Sequence, residues 1–212
     1  MTQEKIPAIE ITTGIGLAKF PHLISVDPDP EYGGDYTVQL LLPADSDEAK
    51  AITEALEDAR NTFRPLMEAR HEIEDLEKQQ KNWPIVVDTN KDGEESGMIA
   101  VRCKSKGSYK RDGKVIERPH PTFYDAVPNE VADPAAAFGA LLPFNSRIRL
   151  SLSIAPYYRK ATGYGVTPYI TAVQVIEVAK GAKATAEECG FGAVEGGYAT
   201  SPATTNPEPP PF

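Results

Sequence analysis

Three features of the sequence predict a mainly β fold with a single long helical excursion. In residues 147–178, Ile148, Leu150, Leu152 and Ile154 alternate with Arg147, Arg149, Ser151 and Ser153, the period-two pattern of a strand buried on one face. Arg159 to Val166, which contains Gly163 and Gly165, reads as a turn or flexible tip, and Val166 to Val178 reads as the second arm of a hairpin. Further β-rich runs stand at 14–26, 36–42 and 98–109, separated by turn-forming segments. Helical spacing is confined to one region, so strands and helices do not alternate and a doubly wound parallel sheet is not expected.

In chain order, Ile6, Ile9 and Ile11 lead toward a first strand, and Gly14–Val26 is a β-rich segment broken by Pro21. Gly14-x-Gly16 lacks the third glycine and the following helix of a dinucleotide loop. Phe20, Pro21 and His22 could lie near a ligand, although a lone histidine is more often structural. DPDPEYGG (27–34) is a turn by composition, and Tyr36–Leu42 is a strand ended by Pro43. The helical region starts at Ala44, with Asp45 or Ser46 as cap and Asp45-x-x-Glu48 at capping-box spacing. Ala49, Ile52, Leu56, Ala59 and Phe63 form one apolar stripe. Pro65 interrupts it, and Leu66–Lys81 resumes as a mostly charged, poorly buried arm.

Trp83 to Val87 leads into DTNKDGEES (88–96), which departs from the EF-hand order because no Glu stands six residues after Gly93, so a solvated turn is expected. Met98–Tyr109 is the next strand. Its Arg102, Lys104 and Lys106 alternate, which sets three cations along one face about 6.6–7 Å apart, near the spacing of phosphates on an extended nucleic-acid strand. A basic loop follows, with Tyr109, Lys110 and Arg111 ahead of a hairpin turn at Asp112-Gly113. PHPTFY (119–124) adds Phe123 and Tyr124, and Asp125–Pro143 reads as a connection. After Val178 the chain is rich in small residues, with a short helix expected around Ala184–Glu188. Residues 198–212 form a Pro/Thr-rich tail with too little apolar surface to fold. The expected organisation is one domain over 1–197, with a helical excursion at about 45–81, and a disordered tail over 198–212.

The chain has 212 residues and a net charge of −9, but the charge is segregated. Windows 99–118 and 147–176 hold 11 of the 22 Lys and Arg residues and 2 of the 31 acids, so they carry +9 and the remainder −18. A concentrated basic surface on an acidic protein limits non-specific association while retaining one anion site; the alternative is that these charges solvate outward strand faces. No apolar run reaches the roughly 18 residues of a membrane span, and the N-terminus lacks the pattern of a secretory signal. Cys103 and Cys189 lie in dissimilar contexts, which favours reduced thiols in a cytoplasmic protein and leaves no structural zinc set. No metal or other cofactor is expected.

About five or six strands with one inserted helix fit a small Greek-key barrel of the OB type. In such barrels a basic groove tracks the backbone of a nucleic acid while aromatic rings stack on its bases. The candidate phosphate contacts are Arg102, Lys104, Lys106, Lys110, Arg111, Arg147, Arg149, Arg159 and Lys160. The candidate stacking rings are Tyr109, Tyr157, Tyr158 and Tyr164, with Phe123 or Tyr124, and about half of these rings are expected to fill the core instead.

The segments GIGLAKFPHLISV (14–26), YTVQLLLP (36–43), IAVRCKSKGSY (99–109), TGYGVTPYITAVQVIEV (162–178) and EECGFGAVEGG (187–197) together resemble the single-stranded DNA-binding proteins encoded by tailed bacteriophages, an OB-fold family with helical insertions. The resemblance runs over most of 12–197. It implies a replication or recombination role in the host-cell cytoplasm: coating exposed strands, removing hairpins and protecting them from nucleases. In related replication proteins an acidic tail ending in Phe recruits partners. Here Phe212 is terminal, but Glu208 is the single acid of the last fifteen residues, which departs from that pattern.

Two other function classes stay open. A nuclease needs clustered carboxylates for metal ions or a histidine acid–base pair, and His22, His71 and His120 stand in unrelated contexts. A protein-interaction module would turn the basic hairpin toward an acidic partner.

Overall fold

The computed structural model describes residues 6–29, 34–76 and 83–179. The expected tail with Phe212, the segment 187–197, Cys189 and the helix at 184–188 lie outside the described residues.

In chain order the elements are β1 (Ile9–Thr12), β2 (Gly16–His22), β3 (Tyr36–Pro43), α1 (Asp47–His71), β4 (Ile85–Thr89), β5 (Glu95–Ser105), β6 (Ser108–Arg111), β7 (Lys114–Glu117), β8 (Thr122–Tyr124), α2 (Pro134–Phe138), β9 (Arg147–Arg159) and β10 (Gly163–Glu177). Five strands close a ring. β2 pairs with β3, β3 with β5, β5 with β10, β10 with β9, and β9 returns to β2. All these pairings are antiparallel except β5 with β10. That order, with the third and last ring strands parallel, is the closed barrel the sequence leads one to expect. β1 extends it along β9, β8 along β10, and β4 along β5.

The alternating row of β9 faces inward as predicted, with Ile148, Leu150, Leu152 and Ile154 fully buried. On β10 the inward row is Val166 and Ile170, then Val173 and Val175. The change of parity coincides with a register shift between Ile170 and Ala172, because one extra residue in a strand turns every later side chain to the other face.

α1 is one helix of 25 residues that runs through Pro65, which corrects the expected interruption. Ser46 caps it, its hydroxyl accepting from Ala49 N at 3.1 Å. The apolar stripe Ala49, Ile52, Leu56, Ala59 and Phe63 continues to Met67, all buried. Pro65 falls on the exposed face. The packing of the stripe therefore outweighs the one lost backbone hydrogen bond.

Three smaller expectations also change. β2 continues through Pro21 by way of a bulge, the strand read as 98–109 runs over Glu95–Ser105, and the connection 125–143 contains the five-residue α2. The loop 90–94 is an exposed turn in which Asn90 Oδ1 accepts from the backbone of Asp92 and Glu94, both at 2.9 Å.

Candidate nucleic-acid interface

The sheet face formed by β3, β5 and the β9–β10 hairpin carries an open cleft of about 640 Å³. On β5, Val101 and Cys103 point into the core while Arg102 and Lys104, with Lys106 just beyond the strand end, share the outward face. All three cations line the cleft, with Arg159 joining them from the end of β9. Lys106 Nζ lies 2.8 Å and Lys104 Nζ 3.5 Å from the carboxylate of Asp35, whose side chain is 4 % exposed. The buried acid holds both ammonium groups while each keeps nearly half its surface open to solvent. Asp27 and Asp29 also line the cleft, so its basic wall has an acidic margin. Asp27 is engaged internally, accepting from Thr37 Oγ1 at 2.8 Å.

Tyr157, Tyr169, Trp83 and Phe20 line the same cleft, with His22 beside them. Tyr157 stands opposite Gly165 in the β9–β10 ladder. A Cβ at Gly165 would sit 2.5 Å from the Tyr157 hydroxyl oxygen, so the ring lies across a position that only glycine leaves open. The hairpin tip is a three-residue loop closed by Thr162 N donating to Arg159 O at 3.1 Å. Gly163 follows at φ 73°, left-handed backbone that glycine adopts without steric cost. Trp83 is held from behind by the Arg60 guanidinium of α1, 5.2 Å from its ring.

The remaining sequence candidates stand elsewhere. Tyr164 is buried, donates to Arg60 O at 2.6 Å and ties β10 to α1. Burial pushes its phenol up to about 12, against the opposing pull of Arg60 and Arg64. Phe123 is fully buried, with His120 edge-on at 5.6 Å. Neither ring has a face to offer a base, which corrects both as stacking candidates. Tyr158, on the opposite face of β9 from Tyr157, packs with Met67, Leu76 and Tyr164, and its ring lies 4.9 Å from that of His71. Tyr124 pairs with Gln174 on the outer strand β8.

Arg147 pairs with Glu177 at 3.6 Å. Arg149 lies eight residues before Tyr157 on the same strand, on the order of 25 Å along it. The cleft therefore brings together Arg102, Lys104, Lys106, Tyr157 and Arg159. Tyr109, Lys110 and Arg111 belong instead to the β6–β7 hairpin, which turns at Asp112 (φ 51°) and Gly113 (φ 76°). Its base adjoins Lys106, where Arg118 N donates to Gly107 O at 2.8 Å. The Arg118 guanidinium covers the Tyr109 ring at 5.0 Å. Lys160 is exposed at the hairpin tip.

Trp83 and Tyr169 are cleft residues that do not stand among the sequence candidates. Trp83 is the single tryptophan and stands two residues before β4. Pro84 O accepts from Arg102 N at 2.8 Å, a long-range pairing with no local signal. Among the described residues no group of three His, Cys, Asp or Glu side chains is placed to hold a metal ion. Burial pushes the Cys103 thiol up, away from thiolate character. Among the described residues no helix is long and apolar enough to cross a membrane.

Comparison with solved structures gives the barrel its relatives. Gp2.5, a single-stranded DNA-binding protein encoded by bacteriophage T7, superposes with a TM-score of 0.64 over 92 % of this chain and 100 % of its own, at 16 % identity. The chain shares that fold. The single-stranded DNA-binding protein of bacteriophage Enc34, solved in complex with single-stranded DNA, superposes at 0.55 with 14 % identity, over 81 % of this chain and 88 % of its own. Its C-terminal truncation superposes at 0.52, also at 14 % identity, over 81 % and 87 %. No protein-family model and no curated protein sequence matches the chain. The likeness to phage single-stranded DNA-binding proteins thus holds for the OB-type barrel with its inserted helix.

Proposed function

We propose that this protein binds single-stranded DNA with little sequence preference and without catalysis, and that it belongs with the phage proteins whose fold it shares. The observation that carries this reading is the convergence of Arg102, Lys104, Lys106 and Arg159 with Tyr157, Tyr169, Trp83 and Phe20 in one open cleft. Cations along a groove follow a phosphate backbone, and rings accept any base because every base has a π-face. A duplex keeps its bases stacked inside, so a cleft that combines charges and rings discriminates by strandedness. The structural likeness to a protein solved with single-stranded DNA supports the same assignment. The likeness to phage single-stranded DNA-binding proteins implies the role: coating and protecting strands exposed during replication or recombination in the host cytoplasm. The β6–β7 hairpin, with Lys110 and Arg111 beside the Lys106 end, extends the basic surface to further phosphates.

The test is competition between oligo(dT) and a duplex of equal length at two salt concentrations. The single strand is expected to bind more tightly, with affinity falling as salt rises. A duplex that competes equally well would refute the proposal.

A further inference from the structure

Phe20 occupies a conformation that packing does not explain. Between the pairs Lys19–Gln39 and His22–Thr37, β2 spends one residue more than β3, and the resulting bulge leaves Phe20 at φ 51°. Left-handed backbone is unfavourable for a bulky side chain and persists only where surrounding structure enforces it. The ring gains no burial in return, since it is 56 % exposed at the rim of the cleft. A second exposed ring, Phe144 (49 %), stands beside it with centroids 6.2 Å apart and planes tilted by 59°.

The Phe144 loop is clamped to β2 by two backbone hydrogen bonds, Asn145 N to Ala18 O at 2.8 Å and Ala18 N to Ser146 O at 2.9 Å. Next to Phe144, Asn145 is also left-handed, at φ 66°. Lys19 Nζ lies 5.5 Å from the Phe20 ring centroid. Two rings are thus fixed outward where the cleft ends. Bulges that re-aim a side chain beside a binding site are a recurring device.

We propose that Phe20 and Phe144 form an aromatic step that takes an unpaired nucleobase as the strand leaves the cleft, so that the binding footprint is longer than the basic cleft itself. This rests on the reading of the cleft as a single-strand site. A half-exposed ring offers a base one face. Stacking of this kind adds affinity without adding a released counterion, so it leaves the salt dependence unchanged.

The experiment compares the full chain with Phe20→Gly and Phe144→Ala against oligo(dT) of increasing length. Glycine accepts φ 51° without strain, so the first variant removes the ring while keeping the bulge. Phe144→Ala, which lies outside the cleft lining, is expected to leave the affinity for short oligonucleotides unchanged, whereas Phe20→Gly, at the rim, weakens it slightly. Beyond the length that fills the cleft, the variants should bind roughly tenfold more weakly than wild type with the same salt slope. An abasic residue at the position reached by the step should abolish the difference.

Equal affinities at every length, from variants that melt like wild type, would overturn the step while leaving the cleft assignment intact. The same result accompanied by a loss of self-association would assign the rings to a contact between copies of the chain. Failure of the wild type to prefer single strands would fault the cleft reading instead.

Discussion

Asp35 fixes the ends of two lysines that would otherwise sample many rotamers. By drawing Lys104 and Lys106 to one buried carboxylate it orders both before any ligand arrives, which lowers the entropy lost on binding. Each cation that meets a phosphate releases about 0.7 counterion from a single strand. Lys106→Ala is therefore expected to lower the slope of log affinity against log salt by about 0.7, whereas Arg147→Ala, outside the cleft, leaves it unchanged.

On β2, Lys19 is bound by Asp88, which also accepts from Ser96 Oγ at 2.9 Å. Desolvation alone would raise the Asp88 carboxyl, but the hydrogen bonds from Lys19 and Ser96 and the Lys19 charge outweigh it and hold the group below its usual range. Its contribution to stability is thus present above the ordinary carboxylate pKa of about 3.9 and is lost as the pH falls through the depressed native value. Asp88→Asn is expected to cost about 1 kcal/mol at pH 7. Denaturation curves of variant and wild type should converge as the pH falls below the ordinary carboxylate range.

At the scale of elements, the β9–β10 hairpin sorts its tyrosines by parity. Tyr158 continues the even-numbered inward row Ile148–Ile154 and joins the helix-side cluster, whereas Tyr157 continues the outward row with Arg159. The alternation that separates the two rings was legible in the sequence, although both stood among its stacking candidates. The fate of Tyr164 was less so, because it depends on α1 offering Arg60 O as an acceptor, a contact 104 residues distant.

Gly165 makes the bed for Tyr157, so Gly165→Ala is expected to displace the ring and weaken binding to oligo(dT) about as much as Tyr157→Ala. That is a loss of roughly 1–3 kcal/mol, read by fluorescence anisotropy. In α1 the apolar stripe was fully readable. Its continuity past Pro65 was not, because local propensity signals a break that packing of Phe63 and Met67 overrides. Pro65→Ala restores a backbone donor on the exposed face and should stabilise the fold by roughly 1–3 kcal/mol in denaturant unfolding.

Across the whole molecule, ring closure joins segments far apart in sequence. β2 meets β9 at Gly16–Ile148, and β5 meets β10 at Lys104–Tyr169. The barrel class was legible because each strand carries its own alternation, and the basic row of β5 because its spacing alone puts the cations on one face. Trp83 and Tyr169 became site residues only through closure, which brings the approach to β4 and the middle of β10 against that row. The same closure carries Arg147 and Arg149 to the other end of β9, away from the cleft that their charge seemed to suit.

Trp83, the single tryptophan, lies in the cleft wall and reports directly on whether the cleft is the site. Titration with oligo(dT) while following its emission is expected to give saturable quenching with the same affinity as that measured by anisotropy, and Tyr157→Ala should weaken both together. Tight binding by anisotropy with Trp83 emission unchanged would place the DNA elsewhere and contradict the account.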